Sequence, residues 1–281
     1  MKSRVAVMIC ACLLGASFQA RGGVGDAPPP QVEGKGRYDY TLFAASTAHR
    51  AFAIAPGGGW GWQADADSRA QASDAALAAC QRHTAQRCVL YAVDDDVVFD
   101  AKAWPTLWGP YKSRDEAGNA ATGRGRGERF PDLRFRDAAG RTMDLSSLRG
   151  RVVVLHFWGS WCGPCRKEMP DLQSLGESLK DRADVAFVLL QVRETFDVAR
   201  RWVAQQGIRL PLFDSGSGGE SDDVFTLADG GRLKDRDIAG RFPTTYVLDK
   251  HGIVLFSHVG PVSRWSEYAA FLRDAAAKSG R

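Results

Sequence analysis

Residues 152–170 read VVVLHFWGSWCGPCRKEMP, and this stretch decides the fold. The apolar run at 152–157 is typical of a buried strand, and a helix is predicted from Cys162 towards Lys180. The two cysteines therefore stand where a strand ends and a helix begins. Unpaired N–H groups and the helix dipole favour a thiolate at that point. Cys162 is predicted to be the attacking sulfur, and Cys165, one turn inside the helix, the sulfur that resolves a mixed disulfide.

Gly163 and Pro164 separate the two cysteines. Pro164 has no N–H to lose in the first helical turn, and its ring stiffens the loop. The alternative interpretation of a CxxC is half of a zinc site. No second CxxC exists and the five histidines are scattered, so we expect neither a metal nor another cofactor.

Strands and helices alternate through residues 130–281. Apolar runs and alternation predict strands at 133–135, 142–145, 152–157, 185–192, 245–248 and 253–259. Helical spacing predicts helices at 162–180, 197–206 and 264–277. This order predicts an α/β domain with a mixed central sheet and helices on both faces.

This part of the chain resembles the thioredoxin superfamily, and more narrowly the exported thiol-disulfide oxidoreductases of the TlpA/ResA type, over about 130–277. The resemblance rests on FPD at 130–132, LRG at 148–150, the quoted stretch from Val154 to Pro170, and FPTT at 242–245. It implies a thioredoxin-like fold and a thiol-disulfide oxidoreductase that serves cell redox homeostasis.

The resemblance also implies a substrate-contacting surface. Pro243 would follow a cis peptide bond and face the CxxC, with the backbone beside it pairing with a bound substrate chain; an ordinary trans proline is the alternative. Phe242 could narrow which substrates fit, or simply pack. Trp161, Gly163 and Pro164 complete the expected substrate-binding set.

Two ionisable residues flank the cysteines. His156 stands six residues before Cys162, where many thioredoxins have a buried aspartate, and Glu168 stands three residues after Cys165. Both are candidates to accept the proton of Cys165. The alternatives are a core histidine with a hydrogen-bonding neighbour and a first-turn acid stabilised by the helix dipole.

The N-terminus has the layout of a secretory signal. Met1 to Arg4 carry positive charge, an apolar run reaches Leu14, and small residues follow. We expect a signal peptide over 1–22, an extended spacer over 23–36 and a periplasmic location; an uncleaved signal that tethers the protein to the membrane is the alternative. The net charge of +4 in 281 residues gives no reason to expect nucleic acid.

A break at 114–129 separates two bodies. Its sequence RDEAGNAATGRGRGER has no large apolar side chain, which predicts a flexible linker; an arginine-rich RNA-binding patch is the less favoured interpretation. The preceding 37–113 are expected to be a small α+β domain of unknown role. Alternation predicts strands at 38–42 and 52–54, helical spacing predicts a helix from about 68 to 80, and short strands are predicted from 89 and 97.

Four of the six cysteines lie outside the signal. Cys80 and Cys88 are close enough along an exported chain to form a structural disulfide; a second redox pair is the alternative. The sequence GGGWGW at 57–62 is expected to be a glycine turn with packing tryptophans, although an aromatic ligand-binding loop is also possible.

The Gly-Pro pair between the cysteines favours disulfide reduction. It matches thioredoxin, whose potential is about −270 mV against about −120 mV for the oxidant DsbA. We expect the substrates to be disulfide-containing exported proteins, with a membrane electron donor to re-reduce the enzyme. The competing functions are a peroxiredoxin-like peroxidase, a disulfide oxidase or isomerase, and a non-catalytic scaffold. Against the peroxidase, the residues before Cys162 do not contain its Pro-x-x-x-Thr-x-x-Cys loop.

Overall fold

The computed structural model describes residues 24, 28–29, 31–32, 34–84, 86–108, 111–219, 224–262 and 264–280. The signal peptide expected at 1–22 lies outside them. No helix in these ranges is long and apolar enough to cross a membrane.

The N-terminal unit is a small α+β structure. Its sheet has the strand order β2-β1-β3-β4, and its helix α2 packs on β2 and β1. Ser68 caps α2 by accepting a hydrogen bond from the N–H of Gln71. The elements in chain order are α1 (Lys35–Ala45), β1 (Ala51–Ala55), β2 (Gly59–Gln63), α2 (Arg69–Gln81), β3 (Val89–Val93), β4 (Asp96–Val97) and a 3₁₀ helix (Trp104–Trp108).

The strand expected at 38–42 is wrong, because this segment lies in helix α1. Tyr40 and Phe43, three residues apart, are the buried pair, whereas Tyr38 and Leu42 are 63% and 41% exposed. The alternating apolar residues that predicted a strand therefore do not share one face: Tyr40 is buried, whereas the residues two positions before and after it are exposed. The extended spacer expected at 23–36 also ends earlier, since Val32 is fully buried and α1 begins at Lys35.

The C-terminal part has a thioredoxin-like fold. Its central sheet has the order β13-β12-β7-β8-β9, in which β7, β8 and β9 are parallel and β12 runs antiparallel to both β7 and β13. A smaller antiparallel sheet has the order β11-β10-β5-β6. The elements are α3 (Arg114–Gly118), β5 (Leu133–Arg136), β6 (Thr142–Asp144), a 3₁₀ helix (Leu145–Leu148), β7 (Val152–Trp158), α4 (Gly163–Ser178), β8 (Val185–Gln191), α5 (Phe196–Gln205), β9 (Leu212–Phe213), β10 (Val224–Leu227), β11 (Arg232–Lys234), α6 (Asp235–Ile238), β12 (Thr244–Leu248), β13 (Val254–Val259), a 3₁₀ helix (Trp265–Glu267) and α7 (Tyr268–Lys278).

Strand β7 lies in the middle of the sheet, and all seven of its residues are buried. Its alternate side chains enter two different cores. Val154 and Trp158 pack with α4, α5 and α7 on one face, while Leu155 and Phe157 pack with the smaller sheet on the other. Burial on both faces explains why β7 reads as a continuous apolar run.

The flexible linker expected at 114–129 is wrong in the described structure. Ser113 and Glu116 form a capping box at the start of α3, so the backbone is satisfied without a large apolar side chain. Arg129 then forms an isolated β-bridge with Ile253, the residue before β13. Helix capping and backbone hydrogen bonds therefore give a defined structure to a segment whose lack of apolar side chains predicted a flexible linker.

The connection also begins earlier than the expected boundary at 113. Trp108 stacks on Phe271 of α7, with ring centroids 3.9 Å apart, and belongs to the C-terminal core. Tyr111 donates a hydrogen bond of 2.7 Å to Asp274 of the same helix. Burial and this hydrogen bond raise the pKa of Tyr111.

Candidate active site

Cys162 is the N-cap residue of α4 and is joined by a disulfide to Cys165. The backbone N–H of Cys165 lies 3.2 Å from Cys162 Sγ and points to it. Pro164 stands in the first turn, where its missing N–H removes no helical bond. Cys165 is fully buried and Cys162 is 4% exposed. The structure therefore places the two sulfurs as expected, with Cys162 at the helix terminus that favours a thiolate.

The peptide bond between Phe242 and Pro243 is cis, as the resemblance implies. The carbonyl oxygen of Phe242 lies 3.5 Å from Cys162 Sγ. The two loops meet because β12, which begins at Thr244, pairs with β7, which leads into the CxxC. The register of the sheet thus brings together residues about eighty positions apart in sequence.

Trp161 and Phe242 form an aromatic rim beside the disulfide. The Trp161 side chain is 49% exposed, and its indole N–H donates to the carbonyl of Val192 at 2.9 Å. Its ring meets the edge of Phe242 with centroids 6.1 Å apart. The guanidinium of Arg193 lies over the Phe242 ring, 5.4 Å from its centroid. Phe242 is thus held in place beside the cysteines, and the exposed face of Trp161 is left for contact with another molecule.

His156 and Glu168 face each other in the core beneath the disulfide. His156 is fully buried on β7, and its Nδ1 lies 2.8 Å from Thr245 Oγ1. Its Nε2 lies 3.4 Å from Glu168 Oε1, and neither of these two atoms makes a well-aligned hydrogen bond within the described structure. Glu168 Oε2 accepts a hydrogen bond of 2.8 Å from the N–H of Val262.

Burial keeps both members of this pair neutral. It lowers the pKa of His156 to about 3 and raises the pKa of Glu168 to about 8, against a smaller opposing effect of the Val262 hydrogen bond. At neutral pH the pair therefore consists of a neutral imidazole and a protonated carboxyl. Because Glu168 lies three residues after Cys165 on α4, it shares that cysteine's helix face and can exchange a proton near the buried sulfur.

Glu194 is a site residue that the sequence analysis missed. It is 6% exposed, and its carboxylate accepts a hydrogen bond of 2.6 Å from the N–H of Ser160 and another from the Ser160 hydroxyl. The sequence feature that could have indicated this role is the position of Glu194 just after β8. Parallel neighbours end at the same edge of a sheet, so an acid after β8 comes to lie beside the loop after β7.

Arg193 and Asp235 form a second missed contact. Asp235 is 1% exposed and binds the Arg193 guanidinium at 2.6 Å. Asp235 follows β11 directly, so the smaller sheet contributes to holding Arg193 over Phe242. Nothing in the local pattern around either residue indicates this pairing.

The other sequence-predicted residues lie away from this site. Cys80 and Cys88 form a disulfide between α2 and the start of β3, with Cys80 fully buried and Cys88 8% exposed. Residues 57–62 form a turn and strand β2. The side chain of Trp60 donates from its indole N–H to Asp39 at 3.0 Å.

A family model described as Redoxin matches residues 126–272, just over half of the chain. The chain belongs to the Redoxin family. Thiol-disulfide oxidoreductase ResA of Bacillus thuringiensis (strain Al Hakam) is 29% identical over 134 residues, which are 48% of this chain and 69% of that protein. Thioredoxin-like protein YneN of Bacillus subtilis (strain 168) is 27% identical over 140 residues, which are 49% of this chain and 74% of that protein.

Among solved structures, one described as the thiol:disulfide interchange protein DsbE of Chlorobium tepidum has a TM-score of 0.42 and 27% identity. The match covers 54% of this chain and 96% of that one. The family and the named relatives agree with the chemistry of the site: this Redoxin-family chain is a thiol-disulfide oxidoreductase. The family match leaves residues 1–125 outside it.

Proposed function

We propose that this enzyme reduces disulfide bonds of exported proteins in the periplasm, with Cys162 as nucleophile and Cys165 as resolving thiol. One observation carries the proposal. Cys162 caps α4 and lies 3.5 Å from the carbonyl of Phe242, beside the cis proline, so its sulfur is the one that an incoming chain can reach. Cys165 is fully buried behind it.

The reaction begins from the dithiol form. The Cys162 thiolate attacks one sulfur of the substrate disulfide, the substrate S–S bond breaks, and its other sulfur leaves as a thiolate that takes a proton from water. Glu168 releases its own proton to water and accepts the proton of Cys165, and the Cys165 thiolate attacks Cys162 Sγ. The bond between Cys162 and the substrate breaks, the second substrate thiol is released, and the Cys162–Cys165 disulfide remains. Two electrons pass from the enzyme to the substrate.

The direction of electron flow rests on Gly163 and Pro164. The same pair separates the cysteines of thioredoxin, whose potential lies about 150 mV below that of DsbA. If the pair sets even half of that gap, reduction is favoured. A reductase that works in an oxidising compartment must itself be reduced again, so the proposal includes a membrane protein that delivers electrons to Cys162–Cys165.

The location rests on the N-terminal pattern and on cysteine use. Charged residues followed by a short apolar run are typical of an export signal. The Cys80–Cys88 disulfide, buried beneath β2, is the kind of bond that persists in an oxidising compartment. An uncleaved signal acting as a membrane tether is compatible with both observations.

The test uses cysteine variants and insulin disulfides. We expect Cys162→Ser to abolish reduction, and Cys165→Ala to accumulate mixed disulfides through Cys162 that mass spectrometry identifies. Equal residual activity in the two variants would contradict the assigned roles. Peroxide consumption by the parent without disulfide reduction would instead support a peroxidase.

The direction is tested by equilibration with glutathione. We expect a potential closer to that of thioredoxin than to that of DsbA. A value above about −160 mV would contradict a reductase and favour an oxidase or isomerase.

A further inference from the structure

A cleft of about 790 Å³ lies between the N-terminal unit and the central sheet. One wall is formed by residues 56–62 and the other by residues 256–259. The cleft is separate from the aromatic rim, since neither Trp161 nor Phe242 lines it. Its volume lies within the range of about 300–1,000 Å³ that is typical of ligand sites.

Two sheet edges border this cleft. Strand β2 is the edge of the N-terminal sheet, and β13 is the edge of the central sheet. A strand at an edge presents a row of backbone N–H and C=O groups to any chain that lies alongside it. A cleft between two edges is therefore suited to an extended polypeptide.

The register shows which groups of β13 face outward. The N–H of Gly260 donates to the carbonyl of Pro243 at 2.8 Å, so these two residues form a hydrogen-bonded pair. Such pairs alternate along antiparallel strands. His258 consequently bonds inward to Thr245, while the N–H and C=O groups of Ser257 and Val259 point away from β12 and towards the cleft.

A short segment of the chain itself bonds to the same edge near the start of β13. The N–H of Gly127 donates to the carbonyl of Val254 at 2.9 Å, and the N–H of Val254 donates to the carbonyl of Glu128 at 2.8 Å. Val254 is thus the previous outward-facing position of β13. In the described ranges, no segment continues this pairing to Ser257 and Val259.

The opposite wall provides aromatic contact area. Trp60 and Trp62 both line the cleft, and both are only partly buried. The indole of Trp60 is held by Asp39, which also binds Lys35 at 2.6 Å. An anchored aromatic side chain such as that of Trp60 supplies a large contact area at a small entropic loss.

We propose that the cleft binds an extended segment of the substrate polypeptide as an added strand on β13, with its side chains against Trp60 and Trp62. The proposal rests on the proposed function and deepens it. Val259 is followed by Gly260, which is bonded to Pro243 beside the Cys162 sulfur, so the added strand leads to the redox site. The enzyme then favours disulfides in extended, unfolded chains over small disulfides.

Amide hydrogen exchange tests the binding without any substitution. The probe is the reduced, S-carboxymethylated insulin B chain, which has no thiol or disulfide and so binds independently of the redox reaction. We expect its addition to slow exchange at Ser257 and Val259 several-fold, while the inward-bonded amide of His258 changes little.

Three outcomes overturn the proposal. The first is unchanged exchange at Ser257 and Val259 at millimolar probe. The second is complete protection of both amides in dilute protein without probe, which would mean that the chain itself fills the edge. The third is protection that grows with protein concentration, which would identify a second copy as the occupant.

A proline substitution tests the consequence for the reaction. Val259→Pro removes the outward N–H, and we expect the kcat/KM for insulin, relative to that for a small aromatic disulfide, to fall about tenfold. Arg232→Pro is the matched control, because the Leu227 to Gly231 bond places the Arg232 N–H outward on β11, the edge of the other sheet. We expect that control to keep the parent ratio.

The two proposals fail in different ways. An unchanged ratio for Val259→Pro overturns the strand-addition proposal while leaving disulfide reduction intact. A parent protein that reduces neither disulfide refutes the proposed function, and the exchange experiment then still decides whether the cleft binds an extended chain.

Discussion

At the scale of single residues, the buried pair of His156 and Glu168 is the feature with the clearest physical consequences. Both side chains are buried in the core, where loss of hydration disfavours a charged group, and their facing atoms Nε2 and Oε1 lie 3.4 Å apart. Each is therefore held in its neutral form. At neutral pH the Glu168 carboxyl already carries a proton, so it can accept the proton of Cys165 only after losing its own, and the fraction of Glu168 able to do so grows as the pH rises towards 8.

We expect Glu168 to make stability depend on pH. Its pKa is about 8 in the folded protein against an ordinary value of 4.5, so between these values the folded state keeps a proton that the unfolded chain loses. Alone, this would lower stability between about pH 4.5 and 8. His156, whose pKa of about 3 lies below its ordinary value of 6.5, raises stability between those two values. The two effects cancel between about pH 4.5 and 6.5, so the net fall lies between about pH 6.5 and 8 and is on the order of 2 kcal/mol. Urea denaturation of the oxidised protein at several pH values measures this slope.

Glu168→Gln should remove that slope, because glutamine does not titrate. Glu177→Gln is the control: Glu177 lies on the same helix but is exposed, and its ion pair with Arg209 lowers its pKa. We expect the control to keep the parent slope between about pH 6.5 and 8. An identical slope in all three proteins would show that Glu168 ionises normally.

The same residue should affect the second chemical step. Loss of a positioned proton acceptor typically slows a step by about 10² to 10⁴. We expect Glu168→Gln to slow resolution by Cys165 more than attack by Cys162, and His156→Asn to have a smaller effect on the same step. Stopped-flow measurement of both steps across pH separates them. Rates within about twofold of the parent in both variants would mean that water accepts the proton.

At the scale of elements, the N-terminal unit depends on the close approach of α2 to β2. Gly61 lies on β2, and a Cβ atom at this position would stand 2.1 Å from the backbone nitrogen of Cys80 and 2.6 Å from the carbonyl carbon of Ala79. The obstructing atoms belong to backbone, so they cannot rotate away. Only glycine lets the helix carry Cys80 to the position where it bonds Cys88.

We expect Gly61→Ala to destabilise this unit by about 1–3 kcal/mol, because α2 must shift away from the sheet. Gly118→Ala is the control, since no heavy atom lies within 4 Å of its added methyl group and Gly118 ends helix α3. We expect the control to be neutral or slightly stabilising. Thermal unfolding of the two variants compares them, and equal melting temperatures would be inconsistent with close packing at Gly61.

At the scale of the whole molecule, the segment between the two units is part of the C-terminal core. Trp104 packs against Phe99, with ring centroids 5.3 Å apart, while Trp108 stacks on Phe271 of α7. One short helix therefore contacts both units. The thioredoxin-like fold of this chain includes residues that precede the family match at 126.

Fragments of the chain test this extension. A fragment of residues 101–281 retains Trp108, whereas one of residues 114–281 lacks both Trp108 and Tyr111. Removal of a buried tryptophan typically costs about 3–5 kcal/mol, and we expect the shorter fragment to be less stable by about that amount. Trp108→Ala in the longer fragment should reproduce most of the loss. Equal urea midpoints for the two fragments would show that the segment adds nothing to the core.

The sequence by itself determined what depends on neighbouring residues. The apolar run of β7, the cysteine pair at the start of α4, the Cys80–Cys88 spacing and the hairpin at 133–144 all follow from local periodicity and turn chemistry. The family resemblance added the cis proline. Local patterns gave a wrong prediction at α1, where the spacing of two exposed apolar side chains suggested a strand. They also gave a wrong prediction at 114–129, where a capping box and backbone pairing, and not hydrophobic burial, fix the structure.

Only the tertiary structure decided which distant residues meet. The register of β7 with β12 brings Phe242 to Cys162, the end of β8 brings Glu194 to Ser160, and the packing of α4 on β7 sets Glu168 against His156. These contacts arise from strand pairing and helix packing over long sequence separations, and a local pattern carries no information about them. The same register turns the backbone of Ser257 and Val259 towards the cleft.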